Sequence, residues 1–463
     1  MKQLVLSILL IFYLPFNVLS QESLKGDWRG FITINGTNLT ILTHFSRSGS
    51  GFVGTIDIPQ QMAQGIQLLH IQSTPNDSVF FEFQAGMGMA SFNGKFKNTS
   101  QIEGDFHQNG MTFPFQLNRQ EENTSHSYRN VDPIFTNKDH KIAGTLTYPN
   151  QKDSFYPCII LLSGSGAQTR DEDILGFPIF KRIAHYLADH GTATFRFDDR
   201  GTGQSTGSIS DATLADLTTD VRVIVDSLKE RKFVDSKRIG LLGHSQGGII
   251  GSKLAAEDSA IRFLILMASP ALPLSEITID QVRSFSKAQG DTDSTTALKV
   301  AMEEHIFETL RENQNLDSLK NQLVDYTVTE LQKLPDGQKN KIGDLKSFAN
   351  RQVSSQLKQM RTPFYRSIMD YNPASDLKKL HIPVLLLFGG KDMQVLAVPN
   401  QSRARHTLTQ SDADYKIVTI TSANHLFQHA QTGMPGEYGS LDAAFTEDFL
   451  PTLSRWLESH AFK

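Results

Sequence analysis

The segment Gly243-His244-Ser245-Gln246-Gly247-Gly248 constrains the fold of this chain more than any other segment does. It places a serine among glycines, at the point where a strand pattern in the sequence changes to a helix pattern. Residues 238–242 predict a strand before it, and residues 247–257 predict a helix after it. A serine in such a sharp strand-to-helix turn projects from the edge of a sheet, and larger side chains two positions away would collide with the backbone. The segment therefore predicts a nucleophile elbow with Ser245 at its tip.

Strand and helix patterns alternate along most of the chain after Tyr128. A hairpin at 132–135 and 141–148 is followed by predicted strands at 158–162, 193–197, 238–242, 263–267, 384–388 and 416–420, and by predicted helices at 179–189, 213–232, 247–257 and 446–460. This alternation predicts a mostly parallel sheet with helices on both faces. Residues 275–370 are polar with a helical period, so we expect them to leave the sheet and form a helical cap over the strand ends.

The N-terminal part of the chain has a different pattern. Short alternating runs broken by Gly, Asn and Pro lie at 30–34, 39–45, 53–58, 79–83, 90–96, 101–106 and 111–117. They are typical of an all-β meander. The predicted organisation is an N-terminal all-β domain at 21–120, a polar linker at 121–127 and a second domain at 128–463, with the cap inserted at about 275–370.

Residues 1–20 predict a secretory signal peptide, because Lys2 precedes an uncharged run over residues 4–16. A retained membrane anchor is the alternative, but Pro15 interrupts the run, which is shorter than the roughly 20 apolar residues that span a bilayer. We therefore expect cleavage after Ser20, export to the periplasm or the exterior, and no stable membrane insertion. Cys158 is the single cysteine, so no intrachain disulfide can form, and its apolar surroundings predict a core position.

Composition excludes several classes of partner. The net charge is −4 and hydrophobic residues make up 39% of the chain, which is typical of a globular protein without the basic excess that nucleic acids or anionic membranes require. No spacing of Cys, His and carboxylate residues suggests a metal site, and no cofactor is expected.

Two downstream residues could activate Ser245. A serine hydroxyl needs a base to remove its proton, and that base needs a third group to orient it. Asp392 follows the predicted strand 384–388, and His425 follows the predicted strand 416–420, so both should lie at the same edge of the sheet as Ser245. A turn or capping role is the alternative for Asp392, a surface position is the alternative for His425, and His429 is the main competitor as base.

Other histidines fit structural roles better. His244 lies inside the elbow, where packing is expected rather than titration, and the remaining candidates fall on helix patterns. These are His185, His190, His305 and His406.

Two loops bear on the reaction. Attack of Ser245 on a carbonyl would form an oxyanion, which we expect to accept hydrogen bonds from the backbone N–H groups of Gln246 and Ser165. Gly164 is the second choice for the donor in the loop at 163–167. The alternative is that this loop is only a flexible glycine turn. Residues 197–205 could cradle a phosphate, but they lack the ending of a P-loop and the spacing of a dinucleotide fingerprint. A structural turn with an internal Asp–Arg pair is the favoured interpretation of that segment.

These motifs together resemble the α/β-hydrolase superfamily, and particularly secreted bacterial carboxylesterases and serine aminopeptidase-like enzymes with a β-rich N-terminal domain and a helical cap. The resemblance covers about residues 128–463 and lies in Ser163-Gly164-Ser165-Gly166, Asp198-Asp199-Arg200-Gly201-Thr202-Gly203-Gln204-Ser205, the elbow, Gly389-Gly390-Lys391-Asp392 and Ala423-Asn424-His425. It implies an α/β-hydrolase fold and hydrolysis through an acyl-enzyme, with Ser245 as nucleophile, His425 as base and Asp392 as the acid. The order Ser, Asp, His is that of this superfamily. Ser163 stands where the family usually has His before the oxyanion-loop Gly.

Three functions remain open at this stage. The first is a serine esterase for small, short-chain acyl esters, since the cap has no long apolar stripe suited to a lipid tail. The second is a serine peptidase of the aminopeptidase or prolyl-oligopeptidase type, for which Glu303 and Glu304 could bind a charged terminus, although a solvated helix face is the favoured explanation of these residues. The third is a non-catalytic binding protein. The sequence does not indicate an oligomeric state.

Overall fold

The computed structural model describes residues 24–462 apart from 35, 49–50, 59–60, 62, 75–77, 86–87, 121–126 and 152–153. The predicted signal peptide and most of the predicted linker lie outside these residues, and export stays a prediction. The chain forms two compact units that divide between Thr124 and Ser125. Within the described part, no helix is both long and apolar enough to cross a lipid bilayer.

The N-terminal unit is an antiparallel sheet of nine strands over its described residues. They are β1 (Gly26–Ile34), β2 (Thr37–Ser48), β3 (Gly51–Ile58), β4 (Ala63–Gln67), β5 (Leu69–Ser73), β6 (Ser78–Ala85), β7 (Gly88–Asn98), β8 (Gln101–Gln108) and β9 (Met111–Arg119). Their order is β4-β3-β2-β1-β9-β8-β7-β6-β5. Only Leu68 separates the two edge strands β4 and β5, and its N–H donates to the carbonyl of Gly54, 2.9 Å away, so the sheet curls into a nearly closed barrel.

The core of this unit lies on the inner face of the curled sheet. Burial alternates along β6, as expected for a strand with one face packed and one face in water. The ring of Phe92 lies 4.6 Å from that of Phe81, 4.8 Å from that of Phe106 and 5.0 Å from that of Phe115. Aromatic packing of this kind fills the small interior.

Two strands of this unit were not expected from the sequence. In β5 the alternation of apolar and polar residues is limited to Leu69-His70-Ile71-Gln72, and every side chain of the strand is half-buried or exposed. In β4 the glycine Gly65 has a positive φ of 65°, which interrupts the strand pattern. Backbone pairing with β3 and β6 holds these edge strands in the sheet, and Ala63, Ile66 and Ile71 are partly buried against its core.

The second unit is built on a mostly parallel sheet. Its strands are β10 (Tyr128–Val131), β11 (Ile134–Asn137), β12 (His140–Pro149), β13 (Tyr156–Leu162), β16 (Ala193–Phe197), β17 (Val234–His244), β18 (Ile261–Met267), β19 (Val384–Gly389) and β20 (Tyr415–Ile420), and β14 (Asp173–Ile174) pairs separately with β15 (Phe177–Pro178). The order is β10-β12-β16-β13-β17-β18-β19-β20, with β11 paired to β12. Pairing is antiparallel up to β16 and parallel from β16 to β20.

Helices cover both faces of this sheet. They are α1 (Ile179–Asp189), α2 (Leu214–Lys229), α3 (Gly247–Glu257), α10 (Ala374–Leu377), α11 (Ala397–Leu408) and α12 (Phe449–Trp456), which runs into a π turn at Leu457–Ala461. Successive residues of β13 alternate between two apolar clusters, with Cys158 and Ile160 in one and Ile159 and Leu161 in the other. The clusters therefore lie on opposite faces of the sheet, and the predicted α/β architecture is confirmed.

The cap consists of helices joined by short loops over residues 274–368. It consists of α4 (Leu274–Ala288), α5 (Asp293–Glu312), α6 (Leu316–Gln332), α7 (Asp336–Ile342), α8 (Leu345–Met360) and α9 (Pro363–Ile368). Phe307, Leu310, Leu319 and Val353 belong to an apolar cluster of its own. The Gln281 side chain of α4 donates to the carbonyl of Gln394, 2.7 Å away, so the cap touches the loop that follows β19.

Candidate active site

Ser245 lies between the end of β17 and the start of α3 in a strained turn. Its φ is +51°, in the left-handed region that non-glycine residues rarely adopt. A Cβ on Gly243 would lie 2.4 Å from the Gly248 nitrogen, and one on Gly247 would lie 2.1 Å from the Leu162 oxygen. The local geometry is therefore that of the predicted elbow, and it needs glycine on both sides of the serine.

Asp392 and His425 are hydrogen-bonded to each other. His425 Nδ1 lies 2.8 Å from Asp392 Oδ2, and both side chains are buried. The other carboxylate oxygen accepts the N–H groups of Gln394 and Val395 at 2.8 and 2.9 Å, which fixes the carboxylate. Because a carboxylate only accepts, Nδ1 carries the proton of a neutral His425 and Nε2 is left free to take another.

Glycine lets the two loops that carry these residues approach each other. A Cβ on Gly389, at the end of β19, would lie 2.5 Å from the Asn424 oxygen. Asn424 is fully buried, and its side-chain oxygen accepts the N–H groups of Leu426 and Gln428 at 2.9 and 3.0 Å. The Asn424 amide thus shapes the turn that presents His425, a role that the sequence did not reveal.

The elbow and the His425 loop meet through His244. His244 Nε2 lies 3.1 Å from the carbonyl oxygen of His425, and the two ring centres are 4.9 Å apart. Among the described residues, Ser245 Oγ makes no hydrogen bond, to His425 or otherwise. A catalytic hydrogen bond of this kind often tightens only when substrate binds. His429, the competing histidine, has an exposed side chain and pairs with Ala423 through its backbone.

The loop after β13 lies against the elbow. A Cβ on Gly164 would lie 3.5 Å from the Ser245 Cβ, so this loop passes directly beside the serine. The Gly164 N–H donates to Glu172 Oε1, 2.6 Å away, and is therefore not available to an oxyanion. The N–H groups of Ser165 and Gln246, by contrast, have no acceptor within the part of the chain that the structure describes.

The charged segment after β16 is a structural turn, but its charges pair with other elements. Asp198 accepts from Arg170 at 2.6 Å, and Arg200 donates to Asp220 of α2 at 2.5 Å. The prediction of an ion pair within this turn is therefore wrong, because Asp198 and Arg200 point toward different elements of the fold. Gly203 allows the turn to close, since a Cβ there would lie 2.4 Å from Asp198 Oδ2.

Asp199 in this turn closes the loop that passes the serine. Its carboxylate accepts the Ser163 hydroxyl at 2.9 Å and the Gln168 N–H at 2.9 Å. Burial, only partly offset by these hydrogen bonds and reinforced by Glu172, raises the pKa of Asp199 to about 7. The folded chain therefore holds this proton more tightly than the unfolded chain, in which an aspartate has a pKa of about 3.9. Native stability from this group is lost as the pH rises from about 4 through 7.

Asp199→Asn is expected to remove the loss of native stability that ionisation of Asp199 causes as the pH rises, because the amide cannot ionise. Relative to wild type, the variant should gain on the order of 3 kcal/mol of unfolding free energy between pH 5 and pH 8. Urea denaturation at the two pH values measures the difference, and the exposed Asp211→Asn is the matched control. A stability difference that does not change with pH would show that Asp199 is already ionised at pH 5.

Glu172 is a further buried group that the sequence did not single out. It follows Asp171 and precedes Asp173, so it looks like part of a solvated acidic run. In the structure its side chain is fully buried beside Gly164 and His244. Across the described residues, no group of His, Cys, Asp and Glu side chains has the arrangement of a metal site.

Comparison with known proteins gives the family. Residues 178–429, more than half of the 463-residue chain, match the family described as "Serine aminopeptidase, S33" (Hydrolase_4). The chain is 26% identical to esterase EstD of Thermotoga maritima over 337 residues, which cover 71% of this chain and 69% of that protein. It is 24% identical over 282 residues to an Escherichia coli protein described as "Uncharacterized 31.7 kDa protein in traX-finO intergenic region", covering 60% of this chain and 84% of that one.

Among solved structures, the esterase Pf2001 of Pyrococcus furiosus is 17% identical with a TM-score of 0.44, covering 74% of this chain and 94% of that chain. The family match, together with the parallel sheet and the glycine-flanked serine turn, decides the assignment. The chain belongs to the S33 serine aminopeptidase family of α/β-hydrolases.

Proposed function

We propose that this protein is a serine carboxylesterase that cleaves small, short-chain acyl esters. Ser245 is the nucleophile, His425 the general base and Asp392 the group that orients His425. The observation that carries this assignment is the 2.8 Å bond between His425 Nδ1 and Asp392 Oδ2, in a loop that contacts the strained elbow of Ser245. The bond leaves Nε2 as the free base.

The reaction has two halves. In the first, His425 Nε2 takes the Ser245 proton while Oγ attacks the ester carbonyl carbon, and Asp392 stabilises the resulting imidazolium. The N–H groups of Gln246 and Ser165 donate to the oxyanion. His425 then gives its proton to the leaving alkoxide, and the C–O bond breaks to leave an acyl-enzyme. In the second half, His425 Nε2 takes a proton from a water molecule that attacks the acyl carbon, and returns it to Ser245 Oγ as the bond between Oγ and the acyl carbon breaks and the acid leaves.

Two observations favour esters over peptides. The relative from Thermotoga maritima, which is similar over 337 residues, is named as an esterase. An aminopeptidase needs an ionised group to bind the ammonium of its substrate, and burial raises the pKa of Glu303, which weakens one of the two candidates for that role. The short-chain preference is supported by the cap, whose apolar side chains pack against one another instead of forming a continuous stripe.

Active-site labelling combined with a substrate panel tests the proposal. A fluorophosphonate should modify wild type at Ser245, located by mass spectrometry of the labelled peptide, and should not modify Ser245→Ala. The panel compares p-nitrophenyl acyl esters of increasing chain length with aminoacyl p-nitroanilides. We expect the highest kcat/KM for the short esters.

Each other outcome revises a different part of the proposal. Faster turnover of long-chain esters would overturn the short-chain preference alone. Turnover of the anilides without the esters would make the protein a peptidase. A wild type that is neither labelled nor active on the panel would favour a non-catalytic binding role.

A further inference from the structure

Glu172 is a buried carboxylate that the proposed acyl transfer does not use. It lies in the loop before α1, where its φ of +45° places the backbone in the left-handed region. Its Oε1 accepts the Gly164 N–H at 2.6 Å and lies 2.8 Å from His244 Nδ1. Its Oε2 is buried and has no hydrogen-bond partner among the described residues. A strained, buried and half-satisfied acid of this kind needs an explanation beyond packing.

The hydrogen-bond partners of His244 fix where its protons lie. The carbonyl of His425 can only accept, so His244 Nε2 carries a hydrogen. One proton must also lie between Nδ1 and Glu172 Oε1, since two lone pairs at 2.8 Å would repel each other. The same oxygen already accepts from Gly164, which favours a carboxylate that accepts twice. His244 is then an imidazolium with both ring nitrogens protonated.

The charges around His244 agree with this assignment. Burial lowers the pKa of His244, but the nearby Glu172 carboxylate more than offsets it, so that the pKa is raised overall. Asp392 raises it further by a longer-range interaction. The other titratable groups nearby are His425, whose ring centre is 4.9 Å away, and Asp199, whose carboxyl interacts with Glu172.

We propose that Glu172 and His244 form a buried ion pair that positions the oxyanion loop and the catalytic base together. Glu172 holds Gly164 in the loop after β13, and through His244 it holds the backbone of His425 in the loop after β20. His244 itself directly precedes Ser245 at the end of β17. One ion pair thereby ties together the three loops that supply the nucleophile, the base and an oxyanion donor.

Glu172 acts as a positioning residue and touches no reacting atom. Rates of acyl transfer depend steeply on the placement of base and oxyanion donors, and a displacement of about 1 Å can cost about 100-fold. Because Gly164 donates to Glu172, the next N–H in the loop, that of Ser165, is presented to the oxyanion. This inference rests on the proposed esterase function and extends it to residues outside the catalytic triad.

Glu172→Gln tests the ion pair with nearly unchanged side-chain shape. The neutral amide cannot form an ion pair, so it no longer stabilises a protonated His244. Once His244 is neutral with its hydrogen on Nε2, Nδ1 can only accept, and an amide that turns its NH2 group toward Nδ1 cannot also accept from Gly164, so one of the two bonds should be lost. On p-nitrophenyl acetate we expect kcat to fall about 10- to 100-fold while KM changes less than about threefold. The matched control is Glu447→Gln, an exposed glutamate, which should leave both constants unchanged.

An NMR measurement on wild type gives a readout that does not depend on activity. At pH 8, where an ordinary histidine with a pKa near 6.5 is neutral, we expect ring N–H signals from both nitrogens of His244. The His244→Asn variant assigns these signals by removing them, and Glu172→Gln should retain at most one of them.

The two readouts separate the possible failures. An unprotonated Nδ1 in wild type would overturn the ion pair even if Glu172→Gln failed to fold. Unchanged kcat in a folded Glu172→Gln would overturn its positioning role. A wild type inactive on every ester would instead remove the proposed function, while the NMR signals of His244 would still decide whether the ion pair exists.

Discussion

Asp392→Asn is expected to lower kcat about 10,000-fold while the protein remains folded. An asparagine oxygen can still accept the N–H groups of Gln394 and Val395, so the loop should keep its conformation. Its NH2 group would then face His425 Nδ1 and donate to it. This interaction favours the tautomer with a proton on Nε2, and such a histidine cannot take the proton of Ser245.

Steady-state kinetics on a short p-nitrophenyl ester, with circular dichroism to check the fold, measure this effect. His425→Ala should cause a loss of similar size, because the base itself is removed. His429→Ala tests the competing histidine. The exposed imidazole of His429 lies four residues after His425 in the sequence and has no hydrogen bond to Asp392 among the described residues. Turnover of Asp392→Asn within about tenfold of wild type would mean that the His425 tautomer is set by another group.

The sequence predicts the layout of the catalytic unit well because its signals are local. The glycines around Ser245 and the apolar runs of the parallel strands report backbone geometry within a few residues. The helices α1 and α3 have the bounds that the pattern predicts, and α2 begins at Leu214 because Thr213 and Asp216 form a capping box. Asp392 and His425 each follow a predicted strand through a short loop, and the loop before Asp392 contains Gly389-Gly390. The sequence therefore also places both residues at one edge of the sheet.

What the sequence could not predict depends on contacts between distant residues. Glu172 lies 72 positions from His244, and nothing in the acidic run around it marks it as buried. Asp198 and Arg200 are two residues apart, yet each pairs with a different element. The last helix begins at Phe449 instead of Thr446, and the backbone just before it pairs with a distant segment through an isolated bridge between Phe445 and Gln428.

Gly247→Ala is expected to reduce the unfolding free energy by about 4 kcal/mol, above the usual range for an overpacked core. The added Cβ would lie 2.1 Å from the oxygen of Leu162 and 2.6 Å from that of Ser163. These are backbone atoms at the end of a central strand, so they cannot turn aside as a flexible side chain would. Either α3 must move away from β13, or the loop after β13 must shift.

Gly337→Ala is the matched control, because it makes the same substitution in helix α7, where nothing lies within 4 Å of the added Cβ. It should raise the unfolding free energy by up to about 1 kcal/mol through helix propensity. Urea denaturation compares the two variants, and a loss below about 1 kcal/mol in Gly247→Ala would show that the elbow can relax.

The same variant also links stability to catalysis. The atoms that the new Cβ would meet belong to the strand end and loop that place Gly164 beside Ser245. If the structure relaxes by moving that loop, ester hydrolysis should fall about 100-fold or more even under conditions where Gly247→Ala is fully folded. Activity that falls only in proportion to the unfolded fraction would mean that α3 moves and the oxyanion loop stays in place.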